Sequence, residues 1–208
     1  MRVDNKIVFM DGMFPAIFFP VGLPENGGSC AYLTDYCLEY CPAHEINRHE
    51  VRALNYFKDN EVVTIVDRII DEMCSECLTH LYWWPWGDCL PELTDKIFLI
   101  MIALRRRGIL QNGYTRNIDL WDKVPFYDNL RIGFHVDTIE EVMEISTNTN
   151  VVCCPEVDKG KAVLYYDKKP VARCCGIWCE WLTTDEVRSA DCQECYLYGQ
   201  GCFIGKSM

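Results

Sequence analysis

The sequence has no hydrophobic run approaching the roughly 20 apolar residues that span a bilayer. Its start, Met1-Arg2-Val3-Asp4-Asn5-Lys6, leads into only a short apolar stretch. Neither a membrane span nor a secretion signal is expected, so a cytoplasmic, reducing compartment is the default. Basic residues are scarce: 20 Lys and Arg against 31 Asp and Glu give a formal net charge of −11. That argues against general nucleic-acid binding, which needs a basic surface to neutralise phosphates. The single basic cluster, Arg105-Arg106-Arg107, reads as the solvated last turn of a helix, where the dipole favours cations. His44 and His49 fall at i, i+5 on one expected helix and share no face suited to a metal. No serine or cysteine protease constellation, internal repeat or low-complexity segment is visible. Half of the 208 residues are hydrophobic and a quarter charged, the composition of an ordinary globular chain.

Cysteine is the exception, with 14 residues. Cys30, Cys37 and Cys41 form C-x6-C-x3-C after the apolar run Pro15 to Gly22 and the Gly- and Pro-containing stretch Leu23 to Gly28. Three soft ligands on one loop can hold a metal or an iron–sulfur cluster and leave a coordination position open. A lone cysteine is more often a buried small hydrophobe, but three on a polar, Tyr-rich loop favour ligation. Cys174, Cys175, Cys179, Cys192, Cys195 and Cys202 form a second cluster, expected to be a closed zinc site or a fully ligated iron–sulfur centre. Cys192, Cys195 and Cys202 with one or two of the others are the expected set. Cys74 and Cys77, a C-x2-C at a helix end, read equally as ligands or as helix-end residues. Cys89, Cys153 and Cys154 stay open in the same way. A secreted disulfide framework is the least favoured reading, because no export signal accompanies the cysteines.

Apolar periodicity predicts strands at 6–10 and 16–21, then helices over 43–58 and 61–76. A bulky strand over 78–86, a helix over 91–108 and a strand over 109–114 follow. Next come a short helix over 118–123 and a strand over 129–136. A helix over 138–146 opens with the capping box Thr138 and Glu141, and a strand over 150–155 closes the series. This alternation predicts an α/β fold over residues 1–155, a partial (β/α) barrel or open parallel sheet. From 156 to 208 the texture changes to a β-hairpin, with strands over 161–166 and 171–175, and a cysteine-rich C-terminal extension. Polar residues end the apolar runs at the cysteine loop, Gly87-Asp88, Thr115-Arg116-Asn117, Asp137 and Cys153-Cys154-Pro155, on the sheet edge where such folds assemble sites. His135 could act as a proton donor or acceptor there, or simply be a satisfied histidine. Asp88 and Asp137 are a candidate carboxylate pair. Trp83, Trp84 and Trp86 could stack on a base, though core packing of at least two is the safer expectation.

The cysteine loop after a strand, Tyr40 just before its third cysteine, Gly87-Asp88 at the next strand end and the βα alternation together resemble the radical S-adenosylmethionine superfamily. More narrowly, Trp86-Gly87-Asp88-Cys89, Asn112 to Asn117, and Ala190-Asp191-Cys192 through Cys202-Phe203 resemble small radical-SAM-like proteins of phages and anaerobes. The resemblance implies a [4Fe–4S] cluster on Cys30, Cys37 and Cys41 that binds S-adenosyl-L-methionine at its fourth iron. It implies reductive cleavage to a 5′-deoxyadenosyl radical, an electron donor such as ferredoxin or flavodoxin, and hydrogen abstraction from an unidentified substrate. Gly87 and Asp88 would meet the methionyl amine, with Tyr40, Thr115 and Asn117 as further cofactor-binding positions. The tail would carry an auxiliary cluster, or alternatively zinc. The spacing departs from the family's usual C-x3-C-x2-C. The competing expectation is a non-enzymatic interaction scaffold, stabilised by zinc or iron–sulfur, that has lost SAM chemistry.

Overall fold

The computed structural model describes residues 6–11, 14–35, 37, 46–124, 127 and 129–145, and the later strands within 152–191. Ten strands form one sheet in the order of the sequence. β1 (Phe9–Asp11) pairs antiparallel with β2 (Phe14–Ile17). β2, β3 (His80–Trp83), β4 (Leu110–Thr115), β5 (Leu130–His135) and β6 (Val152–Glu156) then run parallel, each beside its predecessor. β7 (Lys161–Tyr166), β8 (Lys169–Cys174), β9 (Trp178–Trp181) and β10 (Ser189–Asp191) continue as an antiparallel meander. The expected α/β architecture is therefore present, as an open sheet of five parallel strands. The change of texture at 156 is the point where parallel pairing gives way to antiparallel.

The crossovers carry α1 (Arg48–Asp59) and α2 (Val62–Ser75) between β2 and β3, and α3 (Thr94–Arg106) between β3 and β4. α4 (Ile118–Lys123) and α5 (Ile139–Glu144) complete the remaining two. Right-handed crossovers stepping the same way along a sheet put their helices on one face. In accord with that, α2 packs on α3 and α3 on α4. α1 buries Ala53, Leu54 and Phe57 at helical spacing, and α2 buries Ile65, Val66, Ile69 and Met73. These side chains meet Leu81 and Trp83 of β3 and Ile97, Ile100, Met101 and Leu104 of α3 in one continuous core.

Helix ends follow local chemistry. Asn47 and Glu50 form a capping box on α1, and Thr138 and Glu141 the expected one on α5. The Lys96 ammonium donates to the carbonyls of Phe57, Lys58 and Asn60 at the C-terminus of α1, a cation where the helix dipole favours one. α2 and α3 both end in paired 6→1 and 5→2 backbone bonds, Leu78 to Met73 with Cys77 to Cys74, and Ile109 to Leu104 with Gly108 to Arg105. That motif wants a left-handed residue, which is Gly108 after α3 but Cys77, at φ 57°, after α2.

Two strands are shorter than their apolar runs. The run ending at Trp86 leaves the sheet at Trp83, because Trp84 adopts φ 49°. The run at 16–21 leaves at Ile17, and Phe18 to Val21 go on, buried, into the loop. Both departures carry core side chains to the C-terminal edge of the sheet.

Candidate functional site

The loop after β2 folds back on itself. A 3-10 turn at Pro24–Asn26 reverses the chain, so that the Ser29 amide bonds to the Pro20 carbonyl at 2.7 Å and the Cys30 amide to Gly22 at 2.9 Å. The Ser29 hydroxyl donates to the Pro20 carbonyl at 2.8 Å and accepts the Asp88 amide at 3.0 Å. Gly87, one residue earlier, sits at φ 77°, and a Cβ there would lie 2.2 Å from the Phe19 carbonyl oxygen. The loop after β2 and the turn after β3 thus touch backbone to backbone, a contact only glycine permits. Cys30 follows this clamp directly. Cys37 lies further along the same loop, its amide bonded to the Thr34 hydroxyl at 3.3 Å. Both residues are half-buried. Tyr40 and Cys41 lie outside the described residues.

Asp88 is the centre of a buried polar web. One carboxylate oxygen accepts the Thr115 hydroxyl at 2.5 Å and the Cys89 amide at 2.6 Å; the other accepts the Arg116 amide at 2.8 Å. Burial pushes its carboxyl up to about 6, against the lowering pull of the Thr115 hydroxyl, those two amides and the Arg116 charge. Thr115 also accepts the Asn117 amide at 2.9 Å. The Asn117 side chain bonds to the Cys89 carbonyl, the Thr94 hydroxyl and, as N-cap of α4, the Leu120 amide. Thr115 and Asn117, expected as cofactor contacts, here direct their polar groups into the protein. Cys89 is fully buried, its thiol facing the Leu90 carbonyl, and burial first and Asp88 second hold it well above its ordinary range. Held protonated, it behaves as an inert structural thiol.

Arg116 joins the two strand-end carboxylates. Its backbone amide donates to Asp88 and its guanidinium pairs with Asp137, so one residue links the two carboxylates. Beyond this pair opens a cleft of about 260 Å³. Tyr32 and Thr34 of the cysteine loop form one wall, and Arg116 and His135 another. Phe134, Val136 and Ile145 give it an apolar floor, and Glu141 and Glu144 of α5 line its far side. The floor belongs to a small cluster with Trp121 and Val142, separate from the main core. His135 Nδ1 is buried with no hydrogen-bond partner among the described residues. Burial, then the Arg116 charge, lower the His135 imidazole to about 4, against the opposing pull of Asp137. The ring is therefore neutral at physiological pH. The Tyr32 hydroxyl is raised above its ordinary range by partial burial, then by the carboxylates of Asp119 and Asp88.

The tryptophans divide as the safer expectation had it. Trp83 and Trp84 are buried in the core. Trp86 is half-buried, packs at a tilt against Phe18 with ring centroids 4.5 Å apart and donates to the buried Glu50 carboxylate at 2.7 Å. Cys74 and Cys77 are both exposed, at the edge of the sheet away from the cysteine loop. No group of three or more His, Cys, Asp or Glu that could hold a metal occurs among the described residues. Of the tail cysteines, Cys174 and Cys179 are register partners across β8 and β9; Cys175, Cys192, Cys195 and Cys202 lie outside the described residues. Cys153 and Cys154 occupy β6, the first of them paired with His135 of β5.

Sequence reasoning missed Ser29, which fastens the cysteine loop, and the role of Arg116 between two carboxylates. A small polar residue between Gly27-Gly28 and Cys30 was the available signal for Ser29. Among the described residues no helix is long and apolar enough to cross a membrane. No family model, no curated protein and no solved structure matches this chain.

Proposed function

We propose that this chain is an iron–sulfur protein of the radical S-adenosylmethionine type. One observation carries the reading. The loop that bears Cys30 and Cys37 is clamped, through Ser29 and Gly87, to the Gly87-Asp88 turn at the C-terminal edge of a sheet of sequential parallel strands. That edge is where parallel βα folds gather their chemistry.

The donor set fits the group. Thiolates are the ligands of iron–sulfur clusters, and the two described cysteines of the loop are half-buried. Cys30, Cys37 and Cys41 would hold the cluster. When bound and reduced, it would supply the electron for reductive cleavage of S-adenosylmethionine. The chain's own residues do the positioning. Ser29 ties the loop to Asp88; Asp88 ties the β3 end to the β4 end through Thr115 and Arg116; Arg116 extends the tie to Asp137 beyond β5. The tail cysteines would form a second centre, an auxiliary cluster or zinc.

A second reading is favoured by one feature. All three protein donors to the Asp88 carboxylate come from its own surroundings, so it faces inward. A turn so engaged suits a metal-stabilised interaction scaffold without SAM chemistry equally well. Iron, sulfide and zinc measured on protein purified without oxygen, with EPR of the dithionite-reduced sample before and after adding SAM, separate the two. Roughly four irons lost in Cys37→Ala, and a spectrum that changes with SAM, are expected. A SAM-silent spectrum leaves the scaffold. Full metal content in Cys37→Ala sinks the N-terminal cluster altogether.

A further inference from the structure

We propose that the cleft between the cysteine loop and α5 binds a small organic cation, a primary amine on an aromatic or apolar stem. The shape sets the size. At about 260 Å³ it holds roughly nine waters' worth of liquid volume at about 30 Å³ each, the scale of one ring and a short arm.

The charges set the sign. Among the described residues Arg116 is the one cation lining the cleft, and Asp137 already pairs with it. Glu141 and Glu144 add two carboxylates, and the described lining holds no second cation to pair with them. One Glu141 oxygen accepts the amides of Asp137 and Thr138, which fixes that carboxylate in place and leaves its other oxygen for a ligand. Counting Arg116, Asp137, Glu141 and Glu144, the cleft carries an excess of negative charge, which an anion would meet as repulsion and an ammonium as attraction.

The remaining walls set the body of the ligand. Phe134, Val136 and Ile145 offer an apolar floor and Tyr32 an aromatic side. His135 lines the cleft as a neutral imidazole, so it adds no positive charge to repel a cation. Because Tyr32 and Thr34 lie between Cys30 and Cys37 in the chain, an occupant of this cleft touches the cysteine loop. Calling the amine a substrate rests on the proposed function above; that it binds does not.

Isothermal calorimetry on the full, anaerobically purified chain tests this with benzylamine, benzyl alcohol and benzoate, three probes of one shape and different charge. Benzylamine should bind with a Kd of about 1 mM, about 4 kcal/mol over eight non-hydrogen atoms, within the range of small ligands. Benzyl alcohol should bind more weakly and benzoate not at all. Glu144→Lys, at an exposed position that the fold tolerates, should weaken benzylamine more than tenfold and admit benzoate. Benzoate binding as tightly as benzylamine, no binding of any probe, or an unchanged benzylamine affinity in Glu144→Lys overturns the proposal. Displacement of benzylamine by S-adenosylmethionine also overturns it, by assigning the cleft to the cosubstrate. Iron content and EPR, read separately on the same samples, report whether the cluster reading stands.

Discussion

Replacing Gly87 by alanine should loosen the clamp between the two loops, and the geometry says by how much. Two separate effects add. At φ 77° an alanine pays about 1–2 kcal/mol for the left-handed conformation. Its Cβ would also lie 2.2 Å from the Phe19 carbonyl oxygen, 2.7 Å from that carbonyl carbon and 3.0 Å from the Ser29 hydroxyl. The first two are backbone atoms of a buried residue and cannot swing away. Overpacking of this kind costs about 1–3 kcal/mol. The total is about 2–5 kcal/mol, a large part of the roughly 5–15 kcal/mol that holds a domain folded. Gly27 supplies the control: it has φ 84° but nothing within 4 Å of a built Cβ, so Gly27→Ala meets only the first effect. Urea unfolding of both variants should place Gly87→Ala about 1–3 kcal/mol below Gly27→Ala. Iron content should fall in Gly87→Ala under conditions where it is still folded, because the displaced turn lies against Ser29, next to Cys30. Equal urea midpoints for the two variants would refute the steric argument and with it the clamp.

Three further outcomes follow from groups already described. Asp88 binds its proton more tightly in the folded protein, at about 6, so its contribution to stability falls as pH rises from about 4 to 6, by about 3 kcal/mol. His135 binds its proton less tightly when folded, at about 4, so its contribution is full above about 6.5 and is lost as pH falls towards 4. The two slopes oppose. Chemical denaturation across pH 4–7 should therefore show stability rising with pH in Asp88→Asn and falling with pH in His135→Gln, each measured as the difference from the unchanged protein; parallel curves would dismiss both shifts. Asn117→Ala removes an N-cap and leaves the Cys89 carbonyl and Thr94 hydroxyl without it, and should lower the unfolding free energy by about 2–4 kcal/mol. Cys77→Gly relieves a left-handed residue at the end of α2 and should raise the urea midpoint, by about 1 kcal/mol in stability, with metal content unchanged if Cys77 is no ligand.

What the sequence disclosed was local. The 118–123 helix and the Thr138–Glu141 capping box follow from side chains within a few positions of each other, and both stand where expected. The βα alternation gave the parallel sheet because periodicity is likewise local. The polar web was hidden because its partners are far apart in the chain: Ser29 and Asp88 are 59 residues apart, Asp88 and Thr115 27, Arg116 and Asp137 21. Only the register of four parallel strands brings them together, and no window of sequence contains that register. The same reason hid the link between Asp88 and Asp137, which runs through the backbone amide and the guanidinium of Arg116. The strand ends at Ile17 and Trp83 were misplaced because the residues beyond them are as apolar and buried as the strands, so hydrophobicity alone marks no boundary there.

The order of the sheet has a consequence for how the molecule is made. Every strand from β2 to β10 pairs with the strand synthesised just before it. No strand has to be inserted between two that are already in place, and none must wait for a partner from the far end of the chain. The sheet can lengthen vectorially as the ribosome delivers it, at about 5–20 residues per second. The one slow join is the first parallel one, β2 to β3, where α1 and α2 must form and pack before the edge is covered. Until then the growing edge is β2, whose neighbour Phe19 meets Gly87 only four residues after Trp83 has joined Ile17, so the clamp that fixes the cysteine loop closes as soon as that first parallel join is made.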